Sequence, residues 1–143
     1  MLRQVDDPES NQPQPGLSRL DALVAGVSAA GLPTTIATTG QPPSTLPPAV
    51  DLAAYRIVQE ALTNSIRHAG PATATVQINY DQREISLQIS DTGRGPAPST
   101  PAGGHGLIGM RERAAAVGGA LHAGPGHGGG FHVTAHLPLK ATR

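Results

Sequence analysis

The stretch "QEALTNSIRHA" places Glu60, Asn64, Arg67 and His68 at i, i+4, i+7 and i+8 of a segment whose apolar residues recur with helical spacing. At about 100° per residue, the four side chains fall within about 120° of one another and share one stripe of the helix. A solvated polar face is one reading, since amphipathic helices usually carry one. Yet an asparagine inside a helix is a poor helix former, and its place between a carboxylate and cations suggests a task. The amide oxygen of Asn64 is a hard neutral ligand suited to Mg²⁺, which keeps several waters and takes its other oxygens from nucleotide phosphates. In that chemistry Glu60 is a proton acceptor and Arg67 a phosphate contact.

Two further stretches carry chemistry. "ISLQISDTGRGPAP" runs an alternating strand into Asp91-Thr92-Gly93, where Asp91 is a catalytic acid, a turn residue or a ligand anchor. Asp-Thr-Gly is the active-site triplet of aspartic proteases, but those enzymes need two such elements whose carboxylates share a proton. This chain has one, beside a long helix. "GGHGLIGMRER" runs from glycines directly into a helix, and the exposed N–H groups of a helix N-terminus bind anions without any side chain. Its spacing matches neither G-x-x-x-x-G-K-[ST] nor the dinucleotide fingerprint. A phosphate cradle and a flexible surface loop both fit it.

These residues must be positioned by the elements around them. Residues 1–16 are polar and proline-bearing and read as a flexible linker or terminal segment, ahead of one folded domain over 17–143. "LSRLDALVAGVSAAGLP" has Leu17, Leu20, Leu23, Val24 and Val27 at helical spacing, with Ser18 and Asp21 as an N-terminal cap signal and Gly31 before Pro33 as a stop. "TTIATT" is a β-branched strand. Residues 49–69 form the longest helix, with Ala54, Ile57, Val58, Ala61, Leu62, Ser65 and Ile66 as its buried face. "ATVQINY" and "EISLQISD" alternate with period two around "DQR", an antiparallel hairpin. Residues 93–106 hold five Gly and three Pro and read as a mobile loop. "GLIGMRERAAAVGG" is a helix, "ALHAG" a short strand, and "FHVTAHLPL" a last strand after the turn "PGHGGG". The order predicts an α+β fold: a two-layer sandwich with a mixed, mostly antiparallel sheet covered on one face by helices.

Composition narrows the function classes. Ten basic and ten acidic residues cancel, leaving no electrostatic footprint of a nucleic-acid binder or a polybasic membrane anchor. With no cysteine, disulfides and thiolate metal sites are excluded. No apolar run reaches the length of a membrane span, and the N-terminus lacks the apolar core of a signal peptide. The expected location is cytoplasmic, with no direct membrane contact by this chain. Besides His68 there are histidines at 105, 122, 127, 132 and 136, in loops and alternating strands without helical ligand spacing, so they read as surface or turn positions.

Taken in order, "QEALTNSIRHA", "DTGRG", "GGHGLIGMRER" and "GGGFHVTAHLPL" resemble the N box, the two glycine boxes and the final glycine-containing turn of the GHKL ATPases, over roughly residues 17–139. Within that superfamily the chain resembles the ATP-binding catalytic domain of a sensor histidine kinase. The glutamate of "QEALTN" and the "GLIGMRER" helix resemble the subfamily that works with NarL/LuxR-type response regulators. The resemblance implies a transferase of signal transduction that binds ATP with Mg²⁺. Asp91 would accept a hydrogen bond from the adenine amino group, with Gly93 and Gly95 in the first glycine box. Asn64 would hold the metal, and Arg67 and His68 would lie near the phosphates or ribose. Glu60 would polarise the attacking histidine. The backbone of Gly104, His105, Gly106 and Leu107 would wrap the phosphates, with Gly109 in the same box and residues 95–106 as a lid. Met110 would pack rather than react.

The resemblance also implies partners. Phosphoryl transfer would go to a histidine on a dimerisation domain of the same kinase, and onward to a NarL/LuxR-type response regulator. No long helix pair and no phosphoacceptor signature lie upstream of residue 17, so the chain reads as an excised domain or C-terminal fragment not expected to phosphorylate itself. The full-length kinase could be membrane-anchored through other segments. Phe131 stands where many relatives have a Thr that supports an adenine-site water. A serine kinase of the anti-sigma-factor type, with the same fold and nucleotide site, is the alternative.

Overall fold

The computed structural model describes residues 16–43, 45–68, 70–93, 107–126 and 129–139, with the backbone alone at His68. A 3₁₀ turn (Leu17–Arg19) leads into α1 (Leu20–Ala29), followed by β1 (Thr34–Thr39) and α2 (Pro48–His68). Then come the strands β2 (Ala74–Tyr80) and β3 (Glu84–Asp91), α3 (Leu107–Ala116), β4 (Ala120–Pro125) and β5 (Phe131–Pro138). The sheet order is β1-β2-β3-β5-β4. β1 runs parallel to β2, and the other three pairings are antiparallel. A parallel pair cannot be joined by a tight turn, and α2 supplies the crossover that β1 and β2 require. The expected mixed, mostly antiparallel sheet with helices on one face is what forms.

The period-two strands put one face inward. Val76, Ile78, Ile85, Leu87, Ile89, Val133, Ala135 and Leu137 are buried, and their alternate neighbours carry the polar face. Ala53, Ile57, Val58, Ala61 and Leu62 of α2 close over that apolar face. Three small alanines at 53, 54 and 61 let the helix lie near the strands. With only three aromatic residues in the chain, the core depends on aliphatic side chains, each contributing about 1.5–3 kcal/mol when fully buried.

Both flanking helices stop by the same device. At the end of α1 the N–H of Leu32 bonds to the carbonyl of Val27 and that of Gly31 to Ser28, with Gly31 at φ 112°. This is a Schellman stop, and its left-handed residue favours glycine. Gly118 and Gly119 donate to Ala115 and Ala114 in the same pattern after α3.

The start of α1 departs from its sequence reading. Ser18 does not cap it: the residue lies inside the 3₁₀ turn, and neither flanking position makes a side-chain cap bond. Instead Asp51, in the first turn of α2, accepts the Leu17 N–H at 2.8 Å. A tertiary carboxylate thus takes over the role expected of a local hydroxyl. Two histidines of the open sheet face bond to neighbouring side chains. His136 Nδ1 lies 3.0 Å from Glu84 Oε2, and His132 Nε2 lies 2.8 Å from Thr134 Oγ1.

Candidate functional site

β3 ends on Asp91, and three donors converge on its carboxyl group. Ser65 donates its hydroxyl to Oδ2 at 2.7 Å. The backbone N–H groups of Gly93 and Phe131 donate to Oδ1 at 2.9 and 3.3 Å. Ser65 and Asp91 are the buried polar residues of the described core, at 7% and 8% exposure. A carboxylate has about four lone-pair positions, so the three donors found among the described residues leave one acceptor direction on Oδ2, which suits an N–H of a ligand. The partners are a hydroxyl and two amides rather than a second carboxyl, unlike a protease dyad.

The backbone at Asp91 is fixed from both sides. Thr92 donates its N–H to the Thr73 carbonyl at 3.0 Å, and Thr73 returns its own to the Thr92 hydroxyl at 3.0 Å. Gly130 sits at φ 79°, and a Cβ there would collide with the Asp91 carbonyl oxygen. Only glycine allows the last turn to bring the Phe131 N–H under the carboxylate.

Helix α2 supplies the second wall. Ser65 follows Val58 and Ala61 at i+7 and i+4, so it continues their buried row. Ile66, expected on that face, is instead 42% exposed. It lies another 100° around the helix, and the inward position belongs to the serine that reaches Asp91. Asn64, half-buried, precedes Ser65, so the Ser65–Asp91 bond holds Asn64 close to the end of β3. Arg67 is exposed on the same helix, and His68 closes it.

Helix α3 forms the third wall. Arg113 donates Nε–H to Glu60 Oε1 at 2.8 Å, joining α3 to α2. A Cβ at Gly109 would lie 3.4 Å from Glu60 Oε2, so Gly109 backs the glutamate. Leu107 is the first residue of α3, where main-chain N–H groups lack helical partners. Met110 is fully buried and packs in the core. Gly95, Gly104, His105, Gly106 and the whole of the expected lid, residues 95–106, lie outside the described residues.

The described structure thus places Glu60 and Asn64 on α2, Asp91 and Gly93 at the end of β3, and Leu107 and Gly109 on α3. Sequence reading missed three contributors: the Ser65 hydroxyl, the Phe131 amide and Arg113. Ser65 was legible as a polar residue on an apolar face. Nothing in the sequence marks a backbone amide. No group of three metal-ligating side chains occurs among the described residues. A metal held by one amide oxygen, with phosphates and water as its other ligands, fits that donor set.

Residues 49–141 match the family described as histidine kinase-, DNA gyrase B- and HSP90-like ATPase. The chain is 38% identical over 128 residues to the sensor histidine kinase YxjM of Bacillus subtilis, covering 89% of this chain and 31% of that protein. It is 39% identical over 86 residues to the histidine-protein kinase/phosphatase UhpB of Salmonella typhimurium, covering 60% of this chain and 17% of that protein. The chain therefore spans under a third of the length of these curated relatives.

Among solved structures, it superposes on the histidine kinase domain of a blue-light activated histidine kinase from Erythrobacter litoralis. The TM-score is 0.64 at 21% identity, over 83% of this chain and 57% of that one. The catalytic domain of histidine kinase ThkA superposes with a TM-score of 0.63 at 12% identity, over 86% of this chain and 95% of that one. The fold is that of histidine kinase catalytic domains. The chain is a homologue of the sensor histidine kinases and belongs to the family of histidine kinase-, DNA gyrase B- and HSP90-like ATPases, whose ATP-binding unit it carries.

Proposed function

We propose that residues 17–143 form the catalytic domain of a two-component sensor histidine kinase, presenting Mg-ATP to a histidine on a dimerisation domain. The observation that carries this reading is the buried Asp91 carboxylate, held by Ser65, Gly93 and Phe131, donors that among the described residues leave one acceptor direction on it. An exocyclic amino group such as that of adenine supplies the matching N–H. Asn64 is the residue assigned to Mg²⁺, supported by its hard amide oxygen and its place next to Ser65. The metal, when bound, neutralises phosphate charge.

Arg67 and His68 are assigned to the phosphates or ribose. The backbone of Gly93, Gly95, Gly104, His105, Gly106, Leu107 and Gly109 is assigned to the nucleotide. The N-terminus of α3, which favours anions, supports the phosphate end of that assignment. Glu60 is assigned to the proton of the incoming histidine. The partners of this reading are the phosphoacceptor domain of the same kinase and a response regulator. The match to UhpB and the "GLIGMRER" helix support the NarL/LuxR type. No helix among the described residues is long and apolar enough to cross a membrane, and a cytoplasmic position for this domain fits that observation.

Calorimetric titration with ATP, with and without Mg²⁺, tests the reading. ATP binds with Mg²⁺ enhancement in the wild type, and Asn64→Ala loses the enhancement while remaining folded. No binding at millimolar nucleotide overturns it. Equal Mg²⁺ dependence in Asn64→Ala removes the metal assignment.

A further inference from the structure

The pairing of Glu60 with Arg113 goes beyond the roles assigned above, although it rests on Glu60 as the acceptor of the histidine proton. Glu60 has three rotatable side-chain bonds, and a free carboxylate on a helix surface samples many directions. Here Arg113 of α3 restricts it, holding Oε1 at 2.8 Å. One helical turn earlier, Gly109 lies alongside, where a Cβ would come into ordinary contact with Oε2 at 3.4 Å.

The two side chains are 41% and 28% exposed, and ion pairs this exposed add little to stability. A helix-to-helix tie is therefore a weak reason for the contact. We propose that Arg113 is a positioning residue for phosphoryl transfer, fixing Oε1 so that Oε2 meets the proton of the attacking imidazole. In that step one imidazole nitrogen forms a bond to the γ-phosphorus. The bond from that phosphorus to the bridging oxygen breaks, and its electron pair leaves on ADP. The proton of the other imidazole nitrogen passes to Glu60. Arg113 touches neither substrate and acts through Glu60. The contact uses Nε alone rather than the guanidinium fork, so lysine can replace part of it.

The experiment supplies the 143-residue chain and Mg-ATP to a dimeric phosphoacceptor domain of a sensor histidine kinase, and follows labelled phosphate onto histidine. ATP calorimetry runs on the same proteins. Arg113→Met lowers transfer at saturating ATP about tenfold or more, with ATP affinity held within about twofold. Arg113→Lys recovers a large part of the rate. Glu60→Gln/Arg113→Met is no slower than Glu60→Gln alone, because the arginine acts through the glutamate. Arg111→Ala, exposed on the same helix, transfers at the wild-type rate.

If Arg113→Met transfers normally while Glu60→Gln does not, the positioning role is overturned and the Glu60 assignment stands. Should Glu60→Gln transfer normally, the assignment itself fails and the proposal falls with it. If the rate in Arg113→Met falls only in step with lost ATP affinity or lost folding, the pair is a structural tie and the proposal is wrong.

Discussion

Ser65 and Asp91 lie 26 positions apart in the chain and meet through a buried 2.7 Å hydrogen bond from hydroxyl to carboxylate. That bond joins the second half of α2 to the end of β3, the two elements that carry the candidate metal and adenine contacts. Removing the hydroxyl leaves one carboxylate oxygen buried with a donor missing, a loss of about 1–3 kcal/mol. Ser65→Ala should lower thermal stability and weaken ATP binding together. A folded variant with unchanged ATP affinity would mean that Asp91 holds its position without the serine.

Asp91→Asn tests the carboxylate itself. Three donors point at Asp91, so an amide nitrogen in either orientation faces a donor and loses an acceptor. ATP affinity should fall about tenfold or more, a cost of the order of 1–3 kcal/mol, and calorimetry reads it directly. A folded variant that binds normally would leave Asp91 as a turn residue.

Two glycines should respond oppositely to alanine. At Gly130, φ is positive and the new Cβ meets the Asp91 carbonyl, so Gly130→Ala should destabilise by more than about 1 kcal/mol and impair ATP binding. Gly26 lies inside α1 with open space where a Cβ would go. Gly26→Ala should stabilise by about 0.5–1 kcal/mol in thermal denaturation and leave ATP binding alone. The same sign for both would contradict the backbone account.

The alkaline titration has a defined sign. Burial first, and then the nearby charge of Asp51, pushes the Tyr80 phenol above its ordinary range. The unfolded chain therefore loses this proton at lower pH than the folded one. The associated stability is complete below the free tyrosine value and is lost as pH rises through the folded value. In ultraviolet titration Tyr80 should ionise late, and Asp51→Asn should bring it part of the way back. An unmoved curve in Asp51→Asn would remove the charge contribution.

The elements themselves were legible because period two and period 3.6 are repeated signals. β2 and β3 form over the residues that alternate, Ala74–Tyr80 and Glu84–Asp91. Periodicity failed where a long-range polar contact decided the outcome. It placed both Ser65 and Ile66 inward; Ser65 is buried and Ile66 is not, and the role of the serine depends on an aspartate two strands away in sequence. Ser18 looked like a cap for the same reason: a local pattern cannot announce that Asp51 will arrive from another helix. Asp91 stood out by its setting between strand and glycine. Arg113 did not, because its partner Glu60 is 53 positions away and an arginine on an exposed helix face attracts no notice.

The parallel pairing of β1 has a mechanical consequence. β1 lies at the sheet edge and is laddered to β2 alone, while β2, β3, β5 and β4 are chained by antiparallel pairs that do not need it. Opening of α1 and β1 is thus separable from opening of the rest. Amides of Thr35–Thr39 should exchange with solvent before those of β3 and β5. A tension applied ahead of Gly16 would first part Leu17 from Asp51, then peel β1 from its neighbour. Ser65 and Asp91 would still be joined, so load from that end of the chain would be absorbed before it reached the candidate site.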